Sequence, residues 1–168
     1  MTVNHIKTAL REIDDAGLEM DLPHPVSDDD IIECEKYFGC ALPESYRLFL
    51  LKLGFGGVED VVFLGLVAGN VLKNGHVNAL QFTLGLQSEF DLPPNLFAIE
   101  NFDGDAVACL LLSKMKGGEC PVVLWDHSER RIDQSKDPHV LAETFGEYFL
   151  TRVQELVEDE GLIESRKD

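Results

Sequence analysis

A chain of 168 residues in which 45% are hydrophobic, ten of them phenylalanine, can bury roughly 70% of the surface its unfolded form exposes, which excludes a disordered protein. Its 31 Asp and Glu against 14 Lys and Arg leave a net charge of −17. Such a field repels phosphate, excludes an ordinary nucleic-acid binder and favours a basic partner.

The N-terminal segment turns charged before any long apolar run, and no stretch approaches the ~20 apolar residues of a membrane span. The expectation is a cytoplasmic protein, neither secreted by this route nor embedded in a membrane. Val3, Ile6, Leu10 and Ile13 recur at three- and four-residue steps, which predicts a short amphipathic helix stopped by Gly17. The prolines of Asp21-Leu22-Pro23-His24-Pro25 break the pattern. Ser27 followed by Asp28, Asp29 and Asp30 then reads as an N-cap with an acidic first turn. A second helix is expected from about Asp28 to Phe38, with Ile31, Cys34 and Phe38 facing inward and Gly39 ending it. A third restarts at Leu42-Pro43-Glu44, buries Tyr46, Phe49, Leu50 and Leu53, and gives way at Gly54, Gly56 and Gly57.

The period then changes. Val58 to Leu64 and Ala79 to Leu84 are short, apolar and partly β-branched, which predicts strands. Asn95 to Phe102, Ala106 to Ser113 and Cys120 to Trp125 predict three more, joined by turns at Asp103-Gly104 and Gly117-Gly118 into an antiparallel meander. From Val140, the residues Leu141, Phe145, Phe149, Val153 and Leu156 predict a long closing helix ending in the acidic run Glu158-Asp159-Glu160. No repeat, low-complexity tract or linker divides the chain. The fold class expected is α+β, one domain over residues 1–168, with a mostly antiparallel or mixed sheet of about five or six strands flanked by N-terminal helices and a long C-terminal helix.

Motifs for chemistry are missing. Asn101, Asp103 and Asp105 alternate as calcium ligands do, but a calcium loop needs its glycine and a distal Glu elsewhere, and a hairpin turn explains the same residues. Asp126-His127-Ser128 holds the residue types of a hydrolase triad, yet three consecutive side chains cannot converge as a triad does. The five histidines, His5, His24, His76, His127 and His139, lack zinc spacing. Gly54-Phe55-Gly56-Gly57 follows a helix, whereas phosphate loops follow a strand and precede a helix. Cys34, Cys40, Cys109 and Cys120 have neither C-x-x-C spacing nor disulfide density, so reduced thiols are expected. No cofactor and no metal is expected. The signal that remains is charge: Glu12 to Glu35 holds ten carboxylates and no Lys or Arg, where a surface selected only for solubility would mix both signs.

The run from Ile32 through Leu42-Pro43-x-Ser45-Tyr46-x-x-Phe49-Leu50 to Gly56-Gly57 resembles the N-terminal signature of the SUKH superfamily. Phe97-Ala98-Ile99, Gly104-Asp105, Pro121-Val122-Val123-Leu124-Trp125-Asp126-His127 and Thr144-Phe145-x-Glu147-Tyr148-Phe149 follow in that family's order, so the resemblance covers about residues 25–150. The group contains bacterial immunity proteins and the yeast cell-wall assembly regulator. One departure is the plainly apolar Ala106-Val107-Ala108-Cys109, where many relatives begin a strand with small polar or aromatic residues. The resemblance implies an α+β domain that neutralises a toxin, typically a nuclease, without catalysing anything.

A nuclease grips phosphate with Lys and Arg, so an acidic inhibitor can steer to that surface and cover it. Within the matched motifs, Pro43, Gly57 and Gly104 are expected to hold turns, and Tyr46, Phe49 and Trp125 to anchor the core. Partner contacts are expected on loops: Glu59 and Asp60, Asp103 and Asp105, and Asp126 with His127, forming one acidic rim. The expected partner is a basic toxin protein, with no direct nucleic acid and no membrane, bound by a monomer or weak homodimer. Two alternatives stand beside this. One is a non-catalytic regulatory scaffold like the yeast member. The other is an enzyme, which would require Asp103, Asp105 and Asp126 to converge in a cleft.

Overall fold

The computed structural model describes residues 2–102, 105–126 and 139–167. In chain order it contains α1 (Thr2–Ala16), α2 (Asp28–Phe38), α3 (Glu44–Leu53), β1 (Gly56–Val58), β2 (Val61–Phe63), α4 (Ala79–Phe90), β3 (Leu96–Phe102), β4 (Ala106–Leu111), a 3-10 turn (Leu112–Lys114), β5 (Val122–Asp126), β6 (His139–Ala142) and α5 (Phe145–Lys167). The fold is α+β. Strands β3-β4-β5-β6 form a four-stranded antiparallel sheet in sequence order, and β1-β2 form a separate hairpin. Among the described residues no helix is long and apolar enough to cross a membrane.

Local chemistry explains the first helices. Ser27 caps α2: its hydroxyl accepts from the Asp30 amide at 3.1 Å while Asp30 accepts from the Ser27 amide at 3.0 Å, the reciprocal capping box. Gly39, at φ 91°, ends the helix in the left-handed region. Gly54 leaves α3 at φ 74°, and a Cβ there would lie 1.9 Å from the His24 carbonyl oxygen. Only glycine allows the two chain segments to pass so closely.

Three elements differ from the sequence reading. Ala79 to Leu84 is not a strand but the start of α4. Asn78 caps it through its side-chain oxygen, which accepts from the Gln81 amide at 3.1 Å, and Ala79, Leu80, Thr83 and Leu86 are buried at helical spacing. Val58 to Leu64 is two strands, because Glu59 adopts φ 51° and turns the chain with Asp60 so that Val58 pairs with Val61. Val140 and Leu141 belong to edge strand β6, with Val123 opposite Val140. Helix α5 starts only at Phe145, where the Thr144 hydroxyl accepts from the Glu147 amide at 3.1 Å.

The core is aromatic. Tyr46, Phe49, Phe63, Phe97, Phe145 and Phe149 are all fully buried, with ring centroids 4.8 Å apart for Tyr46 and Phe145 and 4.9 Å for Phe63 and Phe149. Their edge-to-face contacts lock α3, β2, β3 and α5 together. Tyr46 donates its buried hydroxyl to the Leu64 carbonyl at 2.9 Å. Trp125 is half-buried at the margin of this core rather than at its centre. Helix α1 buries Ile6, Ala9 and Ile13 and packs against α5.

Candidate functional site

The ten carboxylates between Glu12 and Glu35 divide into two groups. Four have work inside the molecule. Glu12 accepts from the Gln154 side chain at 3.3 Å, and Asp21 accepts from the Gly57 amide at 2.9 Å. Asp30 accepts from both the amide and the hydroxyl of Ser27 and, at 3.2 Å, from the Gly69 amide. Glu35 accepts from the Leu42 amide at 2.9 Å and pairs with Arg47. Burial works against the charge on Asp30, but these amide and hydroxyl donors outweigh it and hold the carboxyl below its ordinary value. The side chains of Asp14, Asp15, Glu19, Asp28, Asp29 and Glu33 receive no hydrogen bond or ion pair among the described residues, and all six residues are exposed. This second group carries the negative field outward.

The expected contact residues fall in two places. Glu59 and Asp60 form the tip of the β1-β2 hairpin, where Asp60 is exposed and the Glu59 carboxylate accepts from the Glu19 amide at 2.6 Å. Asp105 and Asp126 come together at one end of the large sheet, since Asp126 lies opposite Ala106 in the β4-β5 register. There Asp105 is exposed and Asp126 half-buried. Asp103, Gly104 and His127 lie outside the described residues. The hairpin and the sheet end belong to different sheets, and the Glu19–Asp21 segment binds the hairpin through Met20 opposite Val58.

Charge alone led the sequence reading past a set of apolar side chains beside the free acids. Ile32, Tyr37 and Leu72 are 39%, 59% and 42% exposed. Together with Asp29, Glu33 and Lys36 they line an open groove of about 530 Å³ on the outer face of α2. The sequence does hold a signal for the first two: Ile32 and Tyr37 fall off the buried stripe of Ile31, Cys34 and Phe38. Leu72 has none, because it lies in the irregular segment after β2.

The three buried thiols are poor nucleophiles. Burial pushes Cys34 up to about 12, helped by Glu35 and Glu33, and pushes Cys120 up to about 12, helped by Glu119. Burial raises Cys109 as well. Such thiols stay protonated at neutral pH, and none of the four cysteines is in a disulfide. Among the described residues no three His, Cys, Asp or Glu side chains are grouped as a metal ion would require.

The family model described as SUKH_5, SMI1-KNR4 cell-wall, matches residues 3–154. The chain belongs to this family, and membership supports an immunity-like or SMI1-KNR4-like protein-interaction module.

Proposed function

We propose that this SUKH-family chain is an immunity protein of the bacterial cytoplasm, which binds a basic toxin, a nuclease domain, and neutralises it by covering its phosphate-gripping surface. The observation that carries this reading is the set of six exposed carboxylates with no partner among the described residues, on a segment without a single Lys or Arg from Glu12 to Glu35. Unpaired surface acids destabilise the free protein through mutual repulsion, and a cationic partner relieves that repulsion while gaining steered association. The loop acids Glu59, Asp60, Asp103, Asp105 and Asp126, with His127, contribute further contacts. Inhibition requires no catalysis, only occlusion. The chain acts as a monomer or weak homodimer.

The test is calorimetry at two salt concentrations on the most enriched basic protein from a pull-down in native lysate, followed by a nuclease assay of that partner. A partner whose activity is blocked stoichiometrically, and whose affinity falls as salt rises, supports the reading. Salt-independent binding, or enrichment of regulatory proteins without toxic activity, sinks it. A second reading, a regulatory interaction module, draws support from the cell-wall description of the matching family model. It predicts that second outcome.

A further inference from the structure

The groove beside α2 is built to hold its shape. Its far wall is Leu72, in the 67–75 loop that Asp30 anchors to the helix by accepting from the Gly69 amide at 3.2 Å. The Asn78 side chain, fully buried, donates to the carbonyls of Val71 at 2.8 Å and Lys73 at 3.0 Å. Gln81 donates to the carbonyl between them, that of Leu72, at 3.0 Å. Val71 is buried beneath, yet the Leu72 side chain remains 42% exposed. Three consecutive carbonyls are thus held by side chains of the α4 N-terminus, so Leu72 is an apolar group presented on a fixed backbone. Opposite it stand Ile32, stiff at its β-branch, and Tyr37, an amphipathic ring that loses little side-chain freedom on contact.

The rim selects the occupant. Asp29 and Glu33 line the groove without partners among the described residues, Asp28 precedes them, and Lys36 is the one cation among the lining residues. A second copy of the chain is a poor fit, because a two-fold contact would set the same acids against each other on molecules that each carry −17. An apolar floor with an acidic rim instead complements a segment bearing apolar residues on one face and Lys or Arg beside them. Resting on the reading of the chain as a binder of a basic protein, we propose that this groove docks a basic amphipathic segment of that partner. Its apolar side chains sit on Ile32, Tyr37 and Leu72, and its cations face Asp29 and Glu33.

The experiment titrates the isotope-labelled full chain with a synthetic helical peptide carrying Leu and Lys at helical spacing. Two controls replace every Leu by Ser or every Lys by Glu. The expected result is amide shifts confined to residues 29–37 and 69–74, binding about tenfold tighter than the Ser control, and a loss of about tenfold in Leu72→Ser or Tyr37→Ser. Shifts centred elsewhere, equal binding of the Ser control, or groove shifts produced by concentrating the protein alone each overturn the proposal. The same two variants are then measured against the basic partner from the pull-down. Weakened binding supports the groove, and unchanged affinity rejects it while leaving the immunity reading in place. Failure of the unaltered chain to bind any basic protein defeats the immunity reading itself, and the peptide titration then decides the groove alone.

Discussion

Two carboxylates bonded within the fold, buried Glu100 and half-buried Glu119, and the acids along the outer face of α2 carry the same charge and do opposite things. Glu100 is 3% exposed. It follows the bulge at Ile99 in β3, where an inserted residue re-aims the next side chain, and it meets α5. Arg152 grips it through two nitrogens at 2.7 and 3.2 Å, Tyr148 donates its hydroxyl, and Arg152 also reaches Glu155 at 2.7 Å. Burial opposes the charge on Arg152, but the bonds to Glu100 and Glu155 outweigh it and keep the guanidinium protonated. Burial and the neighbouring Glu100 charge raise Tyr148, so it remains a donor. Glu119 binds two helix starts directly and reaches a third through Ser45. It accepts from the Thr2 hydroxyl at 2.8 Å and from the Ser45 amide and hydroxyl at 2.9 and 2.8 Å, while the Ser45 oxygen accepts from the Gly146 amide at 3.0 Å. Among the described residues Asp28, Asp29 and Glu33 have no such donors. Inside, a carboxylate survives only when fully satisfied and therefore fixes geometry; outside, it stays available to a partner.

The contrast can be broken from the inside first. Glu100→Ala leaves Arg152 and Tyr148 without their acceptor, and the expected loss is about 3 kcal/mol of stability in urea denaturation. A loss no larger than that of an ordinary surface substitution would show that the network does not join β3 to α5. Glu119→Ala removes the acceptor shared by the starts of α1 and α3, and about 2 kcal/mol should go with it. Hydrogen exchange should rise first at Thr2–Ala16 and Glu44–Leu53, whose starts it joins.

Asp30 stands between the two groups, and Asp30→Ala should cost about 1 kcal/mol. Because the folded state holds this carboxyl below its usual 3.8, its contribution is complete above the ordinary value and fades as pH falls through the lowered one. The stability gap between the unaltered protein and the Asp30→Ala variant should therefore close on acidification, and a gap constant with pH would remove the cap assignment. The smallest effect on folding is expected outside: Asp29→Lys with Glu33→Lys should change stability by no more than about 0.5 kcal/mol, because the lost helix-dipole interaction of Asp29 and the relieved repulsion among neighbouring acids oppose each other. The same pair should reduce both the affinity for a basic partner and its salt dependence.

Much of this was legible in the chain. The Ser27 cap, the α2 and α3 stripes and the β3-β4-β5 meander are written in local periodicity, and the antiparallel order followed from short connections such as Gly117-Gly118, whose φ angles are 60° and 79°. The misreadings share a cause. Ala79–Leu84 is apolar enough for either period, and only the Asn78 cap, placed by its bonds to Val71 and Lys73, settles it as helix. Val140 and Leu141 fit the helical stripe of α5, yet Thr144-x-x-Glu147 held the signal for a later start.

The α+β class, the helix caps, the family signature and the excess of acid are local properties of the chain, because each depends on neighbours within a few residues or on composition alone. The tertiary structure decided which acids are consumed by the fold and which face outward, since a carboxylate's fate depends on donors that arrive from distant segments: Gly57 for Asp21, Gly69 for Asp30, Arg152 for Glu100. It also decided that Leu72 stands exposed beside α2, because three carbonyls around that residue are held by side chains from the start of α4.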